Sequence, residues 1–419
     1  MKKSIILITL ILMMSITTFS KTKIVFWTAP NPNQEVFWKE MVERYNSQSK
    51  DIEIQWSTIP AAGSSEESIL TAIASGRAPD ISTNIFSGFA AQLSELEILV
   101  PLSDMEGFDQ LIKNRKMENI IKTWEYNKKS YIIPLYSNSV LMWWRKDILK
   151  EFGWETPPRT YSDIYKLSKQ IQEKDKNNYS IRVIQGRNWN DRWFDYITYF
   201  YAATQGQSYL DLDKYRANIS GEQAKEIAKF IETMFQNKWT AVDLGEAAFY
   251  RGYIAGSLKG PWEIAYAKNQ FPKIFEQIIL STPPVPDNYP KDKPVYTFAD
   301  SKGLVIFETS KHKKEAWDFV KWIFSQSDFD KKWLEYTQMP PAREDLLENN
   351  DFKEFFEKNP YAAEYAKYVK YAIPPAQTTK TVDIQDEMTV NLIEPLMYGT
   401  KNYEQAIKDA TKNINRILW

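Results

Sequence analysis

Lys23-Ile24-Val25-Phe26-Trp27, running into Thr28-Ala29-Pro30-Asn31-Pro32-Asn33, opens the pattern that decides the fold. The apolar run has the length and residue types of a buried strand, and the prolines and asparagines after it end it as a loop. A helical period follows from about Gln34 to Gln48, with Val36, Phe37, Met41, Val42 and Tyr45 on one face. Ile52-Glu53-Ile54-Gln55-Trp56 predicts a second strand, and a polar Gly/Ser loop then leads into a helix through Ile69, Leu70 and Ile73 that stops at Gly76. Pro79-Asp80-Ile81-Ser82 starts a third strand. Strands alternating with helices in this way predict an α/β fold with mostly parallel sheets flanked by helices. Ligands of such sheets bind beyond the carboxyl ends of the strands, which makes the loops at 27–33, 60–67 and 84–88 candidates on topology alone.

The same alternation resumes further along. Val140 to Trp144 predicts a strand, Thr160 an N-cap for a helix from Tyr161 to Lys174, and Asp195 to Ala203 a long aromatic helix. Thr282 to Pro294 is too rich in proline for a helix and is expected to cross between lobes. Leu304-Val305-Ile306 predicts a strand, Glu315 to Ser325 a helix, and the chain is helical again from about Asp383 onward. With 419 residues, two domains are a better expectation than one.

Lys2 and Lys3, the apolar stretch Ile5 to Ile16 and Thr18-Phe19-Ser20 have the order of an export signal, cleaved near Ser20 so that the mature chain starts near Lys21. No later stretch is apolar for long enough to span a bilayer, so a soluble exported protein is expected. The chain has no cysteine, so neither disulfides nor a lipidated cleavage site are available, and an ordinary core must hold the fold. A formal net charge of −1 gives no basis for nucleic-acid binding or attraction to anionic lipid. Tryptophan (15), tyrosine (24) and phenylalanine (22) exceed the needs of a core this size. In an exported, near-neutral chain, surplus aromatic faces suit the C–H faces of sugars, whose hydroxyls pair with Asp, Glu, Asn and Arg.

Five ordered segments carry a resemblance. They are Ala74-Ser75-Gly76-Arg77-Ala78-Pro79-Asp80; Tyr131-Ile132-Ile133-Pro134 through Trp144-Arg145-Lys146-Asp147; and Pro157-Pro158-Arg159-Thr160-Tyr161. Phe249-Tyr250-Arg251-Gly252 with Gly260-Pro261-Trp262 comes next, and then Lys313-Lys314-Glu315-Ala316-Trp317 with Met339-Pro340-Pro341-Ala342-Arg343. Together they resemble the family 1 extracellular solute-binding proteins of carbohydrate ABC importers, of the maltose-binding type, over nearly the whole mature chain. Two departures bear on packing: Gly256 stands where a methionine is common, and Tyr161 where the family has tryptophan. A second stacking tryptophan found in some members has no counterpart, the nearest register giving Asp386, so maltodextrin specificity does not carry over.

The resemblance implies two α/β lobes of the periplasmic binding protein type II fold, joined by three hinge crossovers near Tyr136-Ser137, Tyr296-Thr297 and Met339-Pro340. After a signal peptide at 1–20, residues 21–136 and 298–340 would form the N-terminal lobe, and 137–297 and 341–419 the C-terminal lobe. Sugar would lie in the cleft, with the lobes closing on it before delivery to the membrane permease. Carrying over the family's cleft positions implies Trp27 and Asn31 after the first strand, Glu66 in the Gly/Ser loop, and Asn84 and Ser87 after the third strand. It also implies Asn138 past the first crossover, Trp193 and Asp195 from the second lobe, and Trp262 as the stacking platform. Each also has a structural alternative: Glu66 suits the first turn of a helix, Asn138 a backbone tie, and Trp262 the core. The aromatic-polar cluster Trp189, Asp191, Arg192, Trp193 and Asp195 should send at least one member to the ligand.

Neither a catalytic group, a metal site nor a cofactor is expected: His312 lies among lysines, and no phosphate-binding loop or zinc spacing occurs. The acidic residues, 54 in all, leave a two-carboxylate glycosidase open. A phosphorylated polyol such as glycerol 3-phosphate is the rival ligand, which would need Arg192, Arg251 or Arg343 in the cleft. The expected partners are thus a sugar and an ABC permease in the inner membrane, with a monomeric carrier in the periplasm and no nucleic acid.

Overall fold

A computed structural model describes residues 21–60, 64–184, 189–245, 247–326 and 328–419, with no side-chain description for 189–191. The segment expected to direct export lies outside the described residues, as do parts of the 60–67 loop and of the 186–196 cluster. The first unit forms as expected. Strand β1 (Thr22–Thr28) pairs in parallel with β2 (Ile52–Thr58) on one side and β3 (Ile81–Ile85) on the other, with α1 (Pro32–Gln48) and α2 (Ser65–Ala74) as the crossovers. Gly76 ends the α2 turn at a φ of 66°, a left-handed conformation that suits its missing Cβ. Helix α3 (Ser87–Glu95) follows β3 after one residue.

The sheets are mixed, not mostly parallel. The first is ordered β2, β1, β3, strand Gly303–Ile306 and β4 (Ile133–Pro134), and the last two join antiparallel. These two strands belong to segments passing between the lobes, so they join the sheet from the opposite direction to the βαβ strands; local periodicity carries no record of such long-range pairing. The second sheet is ordered Ile278–Ser281, β6 (Leu141–Arg145), Ile254–Lys259 and Tyr179–Arg182, and only its last pair is parallel.

Each sheet has its own core. In the first lobe, Phe26, Phe37, Trp38, Phe319, Phe329 and Trp333 are fully buried with their rings packed edge to face. In the second, Trp144, Tyr161, Ile164, Phe230 and Ile414 join helices Tyr161–Lys174, Glu222–Gln236 and Tyr403–Leu418 to the sheet. Gly256 has a packing reason: a Cβ there would lie 2.7 Å from the ring of Trp144. Thr160 caps its helix with Asp163 reciprocating, and the helix has the bounds its sequence predicts.

Three chain segments run side by side between the lobes. β5 (Asn138–Ser139) pairs antiparallel with Thr297–Asp300, and the Leu135 and Val140 amides donate to Lys302 and Phe298. The third segment joins where the Ser137 amide donates to Pro340 and the Ala342 amide to Leu135. The proline-rich stretch at 282–294 leads up to the second crossing without making it. Val285 is bound by backbone hydrogen bonds to Arg159 and Tyr161 and packs on Ala202, within the second lobe. Prolines have no amide to give a sheet, so the crossing is left to Thr297–Asp300, where every residue can donate.

Candidate functional site

A cavity of about 620 Å³ opens where the two lobes and the second crossing meet. From the first lobe it takes Glu66 and Glu67 on α2 and Phe86, Phe89 and Gln92 at α3. The crossing gives Phe298 to Lys302, and the second lobe gives Trp193, Phe194, Asp383 and Gln385. The walls form because three elements end there. Ser64 and Glu67 close a capping box that starts α2 at the rim. Phe86 precedes α3 and stacks on Phe89, with centroids 6.0 Å apart. Trp193 and Phe194, consecutive on helix Trp189–Ala203, both meet Phe298 edge-on, at 5.6 and 4.9 Å.

Five aromatic side chains and several carboxylates thus converge on one space. Lys302 is the only cation lining it among the described residues; its ammonium lies 3.3 Å from Asp300 and 5.4 Å from the centroid of Phe86. A larger groove of about 720 Å³ lies between the helices Glu222–Gln236 and Tyr403–Leu418. Its lining has no aromatic ring and belongs to one lobe only, so the interlobe cavity is the candidate site.

Of the nine residues implied by resemblance, Glu66 and Trp193 line this cavity. Asn31 serves the scaffold, since its Oδ1 accepts from the amides of Asn33 and Gln34 as the N-cap of α1. Asn84 takes a left-handed φ of 62°, and its Nδ2 donates to Ser65. Ser87 is fully buried and donates over 3.4 Å to the carbonyl of Pro375, which ties α3 to the second lobe. Asn138 is buried in the hinge, with Nδ2 3.3 Å from the sulfur of Met339. Trp27 is half-buried against the cluster that includes Ile69, Ile85 and Phe89. Asp195 is buried on the same helix as Trp193, and burial, with the Asp195 charge added, pushes the Tyr199 phenol well above its ordinary range.

Trp262 sits at the start of helix Glu263–Gln270, half-buried against both lobe cores and edge-on to Phe194. Its indole lies over Gly260, leaving no room there for a Cβ. Phe86, Phe89, Phe194, Phe298, Asp300 and Asp383 had no assignment from sequence. A signal existed in the phenylalanines flanking Ser87-Gly88 just after a predicted strand, but phenylalanine in such a position reads equally as core.

Beside the cavity, α3 meets helix Thr381–Met388 of the second lobe. A Cβ on Gly88 would come within 2.7 Å of Thr381 Cβ. Of the three arginines that an anionic ligand would need, none lines the cavity, and Arg251 is exposed. Arg192 pairs with Glu394, and Arg343 with Asp330 and Asp345.

Comparison with known proteins agrees with this architecture. Residues 29–328 match the family model for the bacterial extracellular solute-binding protein. A structure of an uncharacterized protein from Listeria monocytogenes EGD-e is 34% identical, with a TM-score of 0.85 over 95% of this chain and 100% of that one. The cyclic alpha-maltosyl-1,6-maltose binding protein of Arthrobacter globiformis superposes with a TM-score of 0.81 at 18% identity, over 95% and 99% of the two chains. The sugar-binding protein MalE of Xanthomonas citri gives 0.77 at 21% identity, over 95% and 97%. The chain therefore belongs to the bacterial extracellular solute-binding protein family, with the two-lobed α/β architecture of the maltose-binding type.

Proposed function

We propose that this chain is the substrate-binding component of an ABC sugar importer, which captures a sugar or oligosaccharide between its lobes and passes it unaltered to the membrane permease. The observation that carries this reading is the cavity at the crossing segments. Aromatic rings and carboxylate, amide and hydroxyl groups line it from both lobes, matching the two kinds of surface that a sugar presents. Trp193 and Phe86 serve as faces, Glu66 and Gln385 as hydrogen-bonding groups, and Trp262 backs the cavity through Phe194. Lobe closure follows from the three narrow crossings: a ligand touching both walls favours the closed form by its differential affinity. The carrier works as an exported monomer in the periplasm, with lobes bounded near 136, 297 and 340.

A phosphorylated polyol is not favoured, because the one lining cation is already paired with Asp300 and the suspected arginines Arg192 and Arg343 are committed to carboxylates. Titrating the intrinsic fluorescence of the mature protein with a panel of mono- and oligosaccharides, with glycerol 3-phosphate alongside, tests the choice. A saturable change with a saccharide and none with the phosphate supports the sugar reading; the reverse would replace it.

A further inference from the structure

We infer that the sugar taken by this cleft carries a protonated amine, an inference that rests on the sugar-binding reading and narrows it. Four carboxylates line the cavity, those of Glu66, Glu67, Asp300 and Asp383, against the single ammonium of Lys302. Two of the four are already engaged. Asp300 holds Lys302, and Glu67 accepts from the Ser64 amide in the capping box of α2. Glu66 and Asp383 form no ion pair among the described residues, and they come from opposite lobes, Glu66 from α2 and Asp383 from helix Thr381–Met388.

A neutral sugar also accepts carboxylate neighbours, so acidity alone decides nothing. Three features decide it here. Bringing the lobes together on a neutral ligand brings two like charges toward each other in a space partly walled from water, where repulsion is less screened; a cation between them reverses the sign of that term. The remaining wall is aromatic, and it already accepts one ammonium, that of Lys302 5.4 Å from the ring centroid of Phe86, an attraction that a hydroxyl does not share. Ser301 lines the same space at 5% exposure, and its hydroxyl finds no partner among the described residues, which leaves a buried polar group for the ligand to satisfy. Uncommitted carboxylates from two lobes, an aromatic wall and a spare hydroxyl together make a site for an amino sugar.

The test uses matched ligands, namely glucosamine oligomers in α-1,4 and β-1,4 linkage, their N-acetylated counterparts and the corresponding glucose oligomers, each titrated into the mature protein with tryptophan emission as readout. The amine form should bind about tenfold or more tightly than its acetylated and hydroxyl counterparts at low salt. That advantage should shrink as salt rises, and it should fall to about threefold or less in the Glu66→Gln, Asp383→Asn double variant. Both side chains reach the surface of the cavity, so the variant should fold, and the salt series on the unaltered protein stands as an independent check. Equal or tighter binding of the acetylated or glucose forms would overturn the inference while leaving the sugar reading in place. Binding of glycerol 3-phosphate, with every saccharide silent, would overturn both.

Discussion

Asn31 and Gly88 show how single residues separate scaffold from site. The Asn31 carboxamide caps α1 and does not line the cavity, although family position suggests ligand contact. Asn31→Ala should therefore cost about 1 kcal/mol of stability, typical of a lost N-cap, while sugar affinity stays within about twofold. Calorimetric melting and a binding titration check this, and a tenfold fall in affinity with unchanged stability would return Asn31 to the ligand. Gly88 has the opposite character: it fills no pocket, yet its bare Cα allows α3 to meet Thr381 across the lobes. Gly88→Ala should hold the lobes apart, raising the radius of gyration of the sugar-saturated protein in small-angle scattering and weakening binding about tenfold, and adding Thr381→Gly should reverse much of both. An unchanged radius in the single variant would mean that the contact does not govern closure.

Among the elements, the third crossing is held by a buried ionic cluster. Arg115 donates to Asp330 over 2.8 Å and Arg343 to the same carboxylate over 3.0 Å, while Arg115 lies on the ring of Phe324. Asp330 and Arg115 are both nearly inaccessible to water. Asp330→Ala should consequently cost about 3–5 kcal/mol, since it leaves Arg115 buried without a counter-charge. Chemical denaturation reads this, and a loss below about 1 kcal/mol would show that water or another acceptor reaches Arg115. Elements built on local signals were legible in the sequence: β1, α1 and β2 follow from period and punctuation, and Thr160 as an N-cap marks the start of its helix at Tyr161. The antiparallel insertion of Gly303–Ile306 was not, because it depends on partners more than a hundred residues away, and the second crossing came near Tyr296-Thr297 only from the family resemblance, since the local proline signal pointed to 282–294. The cavity was half legible. Glu66 and Trp193 came from family position, whereas Phe86, Phe298 and Asp383 face the cavity only because the lobes bring them together, and no spacing in the chain encodes that.

At the scale of the whole molecule, the aromatic surplus divides between the cavity walls and the cores. Tyr161, Tyr196, Tyr199, Tyr201 and Tyr365 are buried, and burial raises each phenol above its ordinary range. The folded protein therefore keeps these protons where the unfolded chain loses them. Their contribution to stability is complete below about pH 10 and falls as pH rises beyond it. Alkaline titration should show the last tyrosinate absorbance appearing together with the loss of circular dichroism, and complete tyrosinate formation in a folded protein would contradict the packing. Among the described residues an aromatic-lined space lies between the two cores, and the central claim is that it holds a sugar without changing it. Equilibrium dialysis of the mature protein against the best-binding saccharide, followed by chromatography of the recovered ligand, tests that claim most directly. One intact saccharide per chain is the result expected; accumulating cleavage products, or no saccharide retained by folded protein, would contradict it.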